Sequence, residues 1–228
     1  MKNIKPMKYF YLMSVCIILS FSSFADNVKE ILEKVPFAQL PFACTKMAVF
    51  IRPIVTYPGR INTCFPLNTY DDLGLTQKYD DPNVICCDVF RKFQLKSGKY
   101  ELVALDVNIF ERTKKVLVVY QNGELVDYIE AEVCWYPDSV LFVKQWRITS
   151  DEEIIVTWLK VMSEKPIDVF SNFKEVTAQR IDMHYRTDTN GKFQLTKEVK
   201  YTPRNYTRTY LADKTKNLWE GNETPIME

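Results

Sequence analysis

Histidine is almost missing from this 228-residue chain: His184 is the only one. A multi-histidine zinc or iron centre within one subunit is thereby excluded, and any histidine-based nucleophilic mechanism has to use His184. Glycine is scarce too, at six residues, and none of them builds a G-x-S-x-G elbow, a glycine-rich phosphate loop or a G-x-G-x-x-G turn. H-E-x-x-H and C-x-x-C are absent, and no S-x-x-K is followed by its companion motifs. Neither charge dominates, with 30 Lys+Arg against 29 Asp+Glu. The basic footprint of a nucleic-acid binder is therefore missing. The apolar run Tyr9–Leu19 is shorter than the roughly 20 residues a bilayer-spanning helix needs. Nothing in the composition implies a cofactor or a bound metal.

What is present begins with an address. Lys2, Lys5 and Lys8 precede the apolar run, Ser20–Ser23 breaks it, and Ser23-Phe24-Ala25 places small residues before a cleavage point. That layout predicts a secretory signal peptide over residues 1–25 and a periplasmic or secreted mature chain beginning at Asp26. Cys16 sits too deep in the apolar run, after Val15, to be a lipid-modified cysteine. The mature chain of about 200 residues is long enough for a real core, and it carries no membrane span. The three lysines leave with the leader, so the remainder is slightly acidic. Cys44, Cys64, Cys86, Cys87 and Cys134 remain, an odd set. An oxidising destination predicts at least one disulfide with at least one thiol left over. Cys86 and Cys87 do not bond each other, because neighbouring strand side chains point to opposite faces.

Asp26 or Asn27 can cap a short helix through about Lys34, with Val28, Ile31, Leu32 and Val35 on one face and Pro36 closing it. Prolines then punctuate an irregular stretch to residue 83, relieved by an extended run at Met47–Val55 and a turn of helix beginning at Thr69. Residues 26–83 are expected to pack on a sheet built by residues 84–228. Strands are predicted at Val84–Leu95, Tyr100–Glu111, Lys115–Gln121, Leu125–Trp135, Val140–Ile148, Glu153–Met162, Val176–Thr187 and Lys192–Thr202. Turn residues such as Ser97-Gly98, Asn122-Gly123 and Asn190-Gly191 separate them, and the short links favour antiparallel neighbours. Ser163–Glu175 reads as a longer crossing loop or short helix. The fold class is thus mainly β or α+β: an antiparallel meander of about seven or eight strands, curved or partly closed.

One hairpin resolves to single residues. A three-residue loop Thr189-Asn190-Gly191 pairs Thr187 with Phe193, Tyr185 with Leu195 and Ile181 with Val199, apolar opposite apolar or nearly so. Ile181, Met183 and Tyr185 then face the core while Arg180, Asp182, His184 and Arg186 face away from it. Asp182 could orient the His184 imidazole for acid–base work, and Arg180 and Arg186 could hold an anion. The plainer reading of the same pattern is a solvated sheet face. Carboxylates offer a second route to hydrolysis through Glu130 with Glu132, or Asp182 with Glu198. Aromatics are 14% of the chain. Trp135 and Trp146, near the meander, could stack on a sugar or line a pocket, or simply fill the core. Asn205-Tyr206-Thr207 and Asn222-Glu223-Thr224 are glycosylation sequons.

The stretch Val118–Ile129, with Tyr120-Gln121-Asn122-Gly123 followed by Leu125-Val126-Asp127, resembles a hairpin of uncharacterised exported proteins of Bacteroidetes. The resemblance extends to the signal peptide and to the strand–turn cadence of residues 84–202. It implies a periplasmic or secreted location and no particular activity. The sequence thus points to an exported, non-enzymatic binding or interaction protein whose partner is a protein, a small molecule or a glycan. The alternatives are an exported hydrolase using Asp182 and His184 or paired carboxylates, and a barrel-like carrier of an apolar ligand.

Overall fold

In the computed structural model, residues 28–46, 85–109, 112–134, 143–163 and 173–226 are described. The leader, the Met47–Val55 run, the Thr69 turn, Cys64 and Trp135 lie outside them. A short helix, α1 (28–33), is followed by β1 (Phe42–Ala43), β2 (Ile85–Gln94), β3 (Glu101–Ile109), β4 (Arg112–Gln121) and β5 (Glu124–Cys134). Then come β6 (Val143–Ile148), β7 (Ile154–Val161), β8 (Glu175–Thr187), β9 (Phe193–Lys200), β10 (Arg204–Thr207) and helix α2 (Arg208–Ala212). The predicted antiparallel β class is what the chain adopts, and every expected strand is present. The meander is not one sheet, however. Strands β2–β5 form one sheet in chain order, and β1, β6, β7 and β8 form a second, with β9 and β10 both against β8. Among the described residues neither sheet closes into a barrel.

Turn chemistry explains the connections. Asn122 and Gly123 both have positive φ (53° and 84°) and link Gln121 directly to Glu124, as a two-residue hairpin of mirror-image type demands. The β8–β9 loop is the predicted three-residue one. Gly191 has φ 79° and donates from its amide to Asp188 O, while Asp188 Oδ1 accepts from the Asn190 and Lys192 amides. Thr187 meets Phe193 and Tyr185 meets Leu195 as expected, but Ile181 meets Lys200 rather than Val199. The cause is a bulge at Thr196, which adds one residue to β9 and donates its hydroxyl to His184 O at 3.1 Å. Pro203, which has no amide to donate, falls where the strand beside β8 breaks into β9 and β10.

Three apolar clusters hold these layers together. Between the sheets, Phe93, Leu102 and Leu117 of the first meet Trp146, Ile154 and Val156 of the second, all at most 1% exposed. On the far face of the first sheet, Val28, Leu32 and Val35 of the α1 region cover Val103, Leu105 and Val118, so the predicted apolar stripe of that helix is its buried one. Lys92 Nζ donates to Leu32 O at 2.6 Å, satisfying a carbonyl at the helix end. On the far face of the second sheet, Leu211 of α2 and Leu218 beyond it cover Val143, Leu159, Val176 and Ala178. That last cover positions everything in the candidate site. No helix among the described residues is long and apolar enough to cross a membrane.

Candidate functional site

Strand alternation puts Arg180, Asp182, His184 and Arg186 of β8 on the face of the second sheet turned away from the other sheet. Tyr185 and Met183 pack instead against the inter-sheet cluster, as predicted. The expectation of a solvated face fails for half of the set. Arg180 and Asp182 are only 5% and 2% exposed. The chain after α2 returns across them, anchored by Leu218, whose amide donates to Gln145 Oε1 at 2.9 Å. Gln145 Nε2 in turn donates to Cys44 O at 2.8 Å and to Asn217 Oδ1 at 2.7 Å, clasping the returning segment to the second sheet.

Asp182 is saturated by its surroundings. Its Oδ1 accepts from Thr157 Oγ1 at 2.8 Å and from Arg180 Nε at 3.1 Å, and its Oδ2 accepts from Arg180 Nη2 and from Tyr201 Oη at 3.3 Å. Arg180 also donates to Trp219 O at 3.1 Å, stacks on the Tyr201 ring at 4.2 Å and lies 3.8 Å from Glu223. Glu223 is the segment's own contribution: its side chain is 0% exposed and its Oε1 accepts from both Arg204 Nε and Tyr206 Oη. Burial alone would push the Glu223 carboxyl up, but the Tyr206 hydrogen bond, a backbone hydrogen bond and the Arg204 charge outweigh it and hold it below the usual range. Arg147 stacks on the Trp219 ring at 4.4 Å, and burial lowers its pKa against the partial support of Asp182.

His184 stands apart from this network. Its Nδ1 lies 3.4 Å from Glu153 Oε2, with the imidazole 16% exposed, and Asp182 does not touch it. Arg186 is exposed and its Nη1 reaches Asp151 O at 3.4 Å. The β8 constellation therefore divides in two. Arg180, held by Asp182, ties down the returning segment, while His184 and Arg186 sit at the open end of the strand. The carboxylate pairs do not assemble either. Glu130 pairs with Lys144 at 2.8 Å, whereas Glu132 is buried beside Lys115. The Thr196 bulge sets Val199 opposite Asp182 and moves Glu198 opposite Met183, where Lys200 takes it at 3.4 Å. Trp146 is 0% exposed, tilted on Phe42 and edge-on to Phe93, so it fills the core and presents no stacking surface.

A second polar cluster went unread in the sequence. Lys115, Asp106 and Glu132 are 1–3% exposed between the sheets, with Lys115 Nζ 3.0 Å from Asp106 Oδ1 and 3.9 Å from Glu132 Oε2. The Cys44 thiol donates to Glu132 Oε2 at 3.4 Å, and burial, then Glu132, pushes its pKa well up. Cys44 is a free thiol; the other cysteine side chains lie outside the described atoms, so the disulfide expectation stands as one. The signal was available. Asp106 continues the inward series Leu102, Ala104, and Lys115 stands two residues before inward Leu117, so alternation alone places two charges in the core.

Lys46 is also buried, donating to Tyr210 O at 2.7 Å, and burial drives its pKa down to about 8. A lysine depressed in the folded state costs stability while it must stay charged, and that cost is relieved as pH climbs from the folded value towards about 10.4, the unfolded one. The stability of the wild type minus that of Lys46→Met should therefore rise between those limits. Denaturant melts at several pH values check this, and a flat difference would contradict it.

No protein-family model, no curated protein and no solved structure matches this chain.

Proposed function

We propose that this is an exported, non-enzymatic binding or interaction protein. The observation that supports the reading is the fate of Asp182. Its hydrogen bonds go to Thr157, Arg180 and Tyr201, and it holds Arg180, which in turn binds Trp219 O of the C-terminal segment, rather than orienting His184. Among the described residues the His184 ring meets one carboxylate, Glu153, and no hydroxyl or thiol bonds to its nitrogens, the nearby Thr196 hydroxyl being spent on the His184 carbonyl. The carrier reading loses ground for a different reason. The space between the sheets is filled by Phe93, Leu102 and Trp146, each 0% exposed, and the sheets are open.

Two measurements test the proposal. Intact mass of protein recovered from outside the host's cytoplasm should correspond to a chain starting at Asp26; retained Met1 or a lipid on Cys16 would refute the export half. Hydrolysis of ester, phosphoester and glycoside panels should be indistinguishable between wild type and a Glu153→Gln/His184→Ala double variant. A wild-type rate that the double variant loses would establish the hydrolase instead. His184→Ala alone should stay within about 1 kcal/mol of wild-type stability, since it removes one partly exposed contact.

A further inference from the structure

The last residues of the described chain are held to the second sheet in the manner of a bound peptide. Among the described residues Leu218 is the last buried apolar side chain; Glu220, Asn222, Thr224, Pro225 and Ile226 are all exposed. What fixes residues 221–226 is backbone pairing, a hydrogen bond from the Thr224 amide to Thr202 Oγ1 at 3.2 Å, and one carboxylate. Thr202 N donates to Thr224 O at 2.9 Å and Ile226 N donates to Lys200 O at 2.8 Å, an antiparallel strip along the margin of β9. Glu223 alone dips into the sheet, between Arg204, Tyr206 and Arg180. Backbone pairing for affinity, with one side-chain pocket for register, is how sheet edges recognise extended peptides.

Glu223 and the arginines of the receiving face are imperfectly matched. Arg204 Nη2 and Arg147 Nη1 are buried without a hydrogen-bond partner among the described residues, and so is Glu223 Oε2, which stands 3.8 Å from Arg180 Nη1. Glu223 stands beside both Arg180 and Arg204, whereas Asp182 pairs with Arg180 and acts on Arg147 only through its field. Removing Glu223 would leave Arg204 without its carboxylate partner and buried Arg180 with Asp182 alone, a surplus of positive charge that calls for an anion.

We propose that the face formed by Arg147, Arg180, Arg204, Tyr201 and Tyr206 is a docking site for an extended acidic peptide, occupied in the free protein by residues 221–226. The proposal rests on the binding-protein reading and names its partner. The incoming strand pairs with residues 200–202 and places a glutamate where Glu223 lies. The chain's own segment competes with it and sets the threshold for docking. Gly221 is the weak point of this self-occupancy, since a Cβ there would stand 1.9 Å from Glu223 Oε2.

The test uses full-length chains and a fluorescent synthetic peptide of residues 219–228. Glu223→Lys removes the internal anion and repels the segment from the arginines, while Gly221→Ala disturbs its seating and leaves every charge in place. Both variants should bind the labelled peptide at least tenfold more tightly than wild type. A peptide carrying glutamine at the Glu223 position should lose that gain. Equal binding of the two peptides, or displacement by millimolar inorganic phosphate alone, would overturn peptide recognition in favour of a bare anion site. Folded variants that bind no peptide would overturn the proposal and leave the binding-protein reading standing. If both variants fail to fold, judged by their melts, the segment is an obligatory part of the fold and the proposal falls as well.

Discussion

Asp182→Ala is expected to cost about 3–5 kcal/mol, the penalty for stranding a buried charge by removing its partner. The variant deprives Arg180 of both its carboxylate hydrogen bonds and leaves Thr157 Oγ1 and Tyr201 Oη without their acceptor. Asp182→Asn keeps an acceptor and loses the charge, so it should fall between alanine and wild type. The double variant Arg180→Met/Asp182→Leu should recover much of the loss, because a buried ion pair replaced whole by apolar groups is often close to neutral. Urea melts of the set, compared at a common slope, decide the matter. A loss below about 1 kcal/mol for Asp182→Ala would mean that water screens the pair, as it does for exposed ones.

Lys115→Met should be comparably severe, at about 3–5 kcal/mol at neutral pH, because it takes from two buried carboxylates the cation that stands beside both. Lys115 is the shared counter-ion of Asp106 and Glu132, and its Nζ also stands 4.8 Å from the Phe90 ring. The penalty should shrink in acid. Without the lysine, a buried carboxylate sheds its charge by taking up a proton, so the folded variant binds more protons than its unfolded chain, and its stability falls as pH rises. Adding Asp106→Asn and Glu132→Gln to Lys115→Met should restore part of the stability at pH 7. A pH-independent loss would assign the effect to packing alone.

Local patterns carried most of the fold. Alternation and turn residues mark each strand from β2 to β9 to within a few residues, because both signals act over neighbouring positions. The helix face of Val28, Leu32 and Val35 was legible for the same reason. The division of the meander between β5 and β6 was not, since no local signal reports which strands fail to pair. β10 was too short, and too close to Pro203, to stand out. At β8 the alternation correctly turned Arg180, Asp182, His184 and Arg186 away from the inter-sheet core. Their burial was illegible because the cover is remote: Trp219 and Glu223 reach Arg180 across some 40 residues of chain. The Thr196 bulge, which unmade the Asp182–Glu198 pair, involves no glycine and so leaves no trace in the residue pattern.

Amide hydrogen exchange on the full chain, wild type against Glu223→Gln, tests most directly the central claim that the polar groups of β8 serve to hold the C-terminal segment. The amides of Thr202 and Ile226, which pair across that segment's margin, should exchange roughly tenfold faster in the variant, equivalent to roughly 1.4 kcal/mol of local opening. Amides of β3 and β4 should keep their protection. Unchanged exchange at Thr202 and Ile226, or a loss spread evenly into β3 and β4, would contradict it.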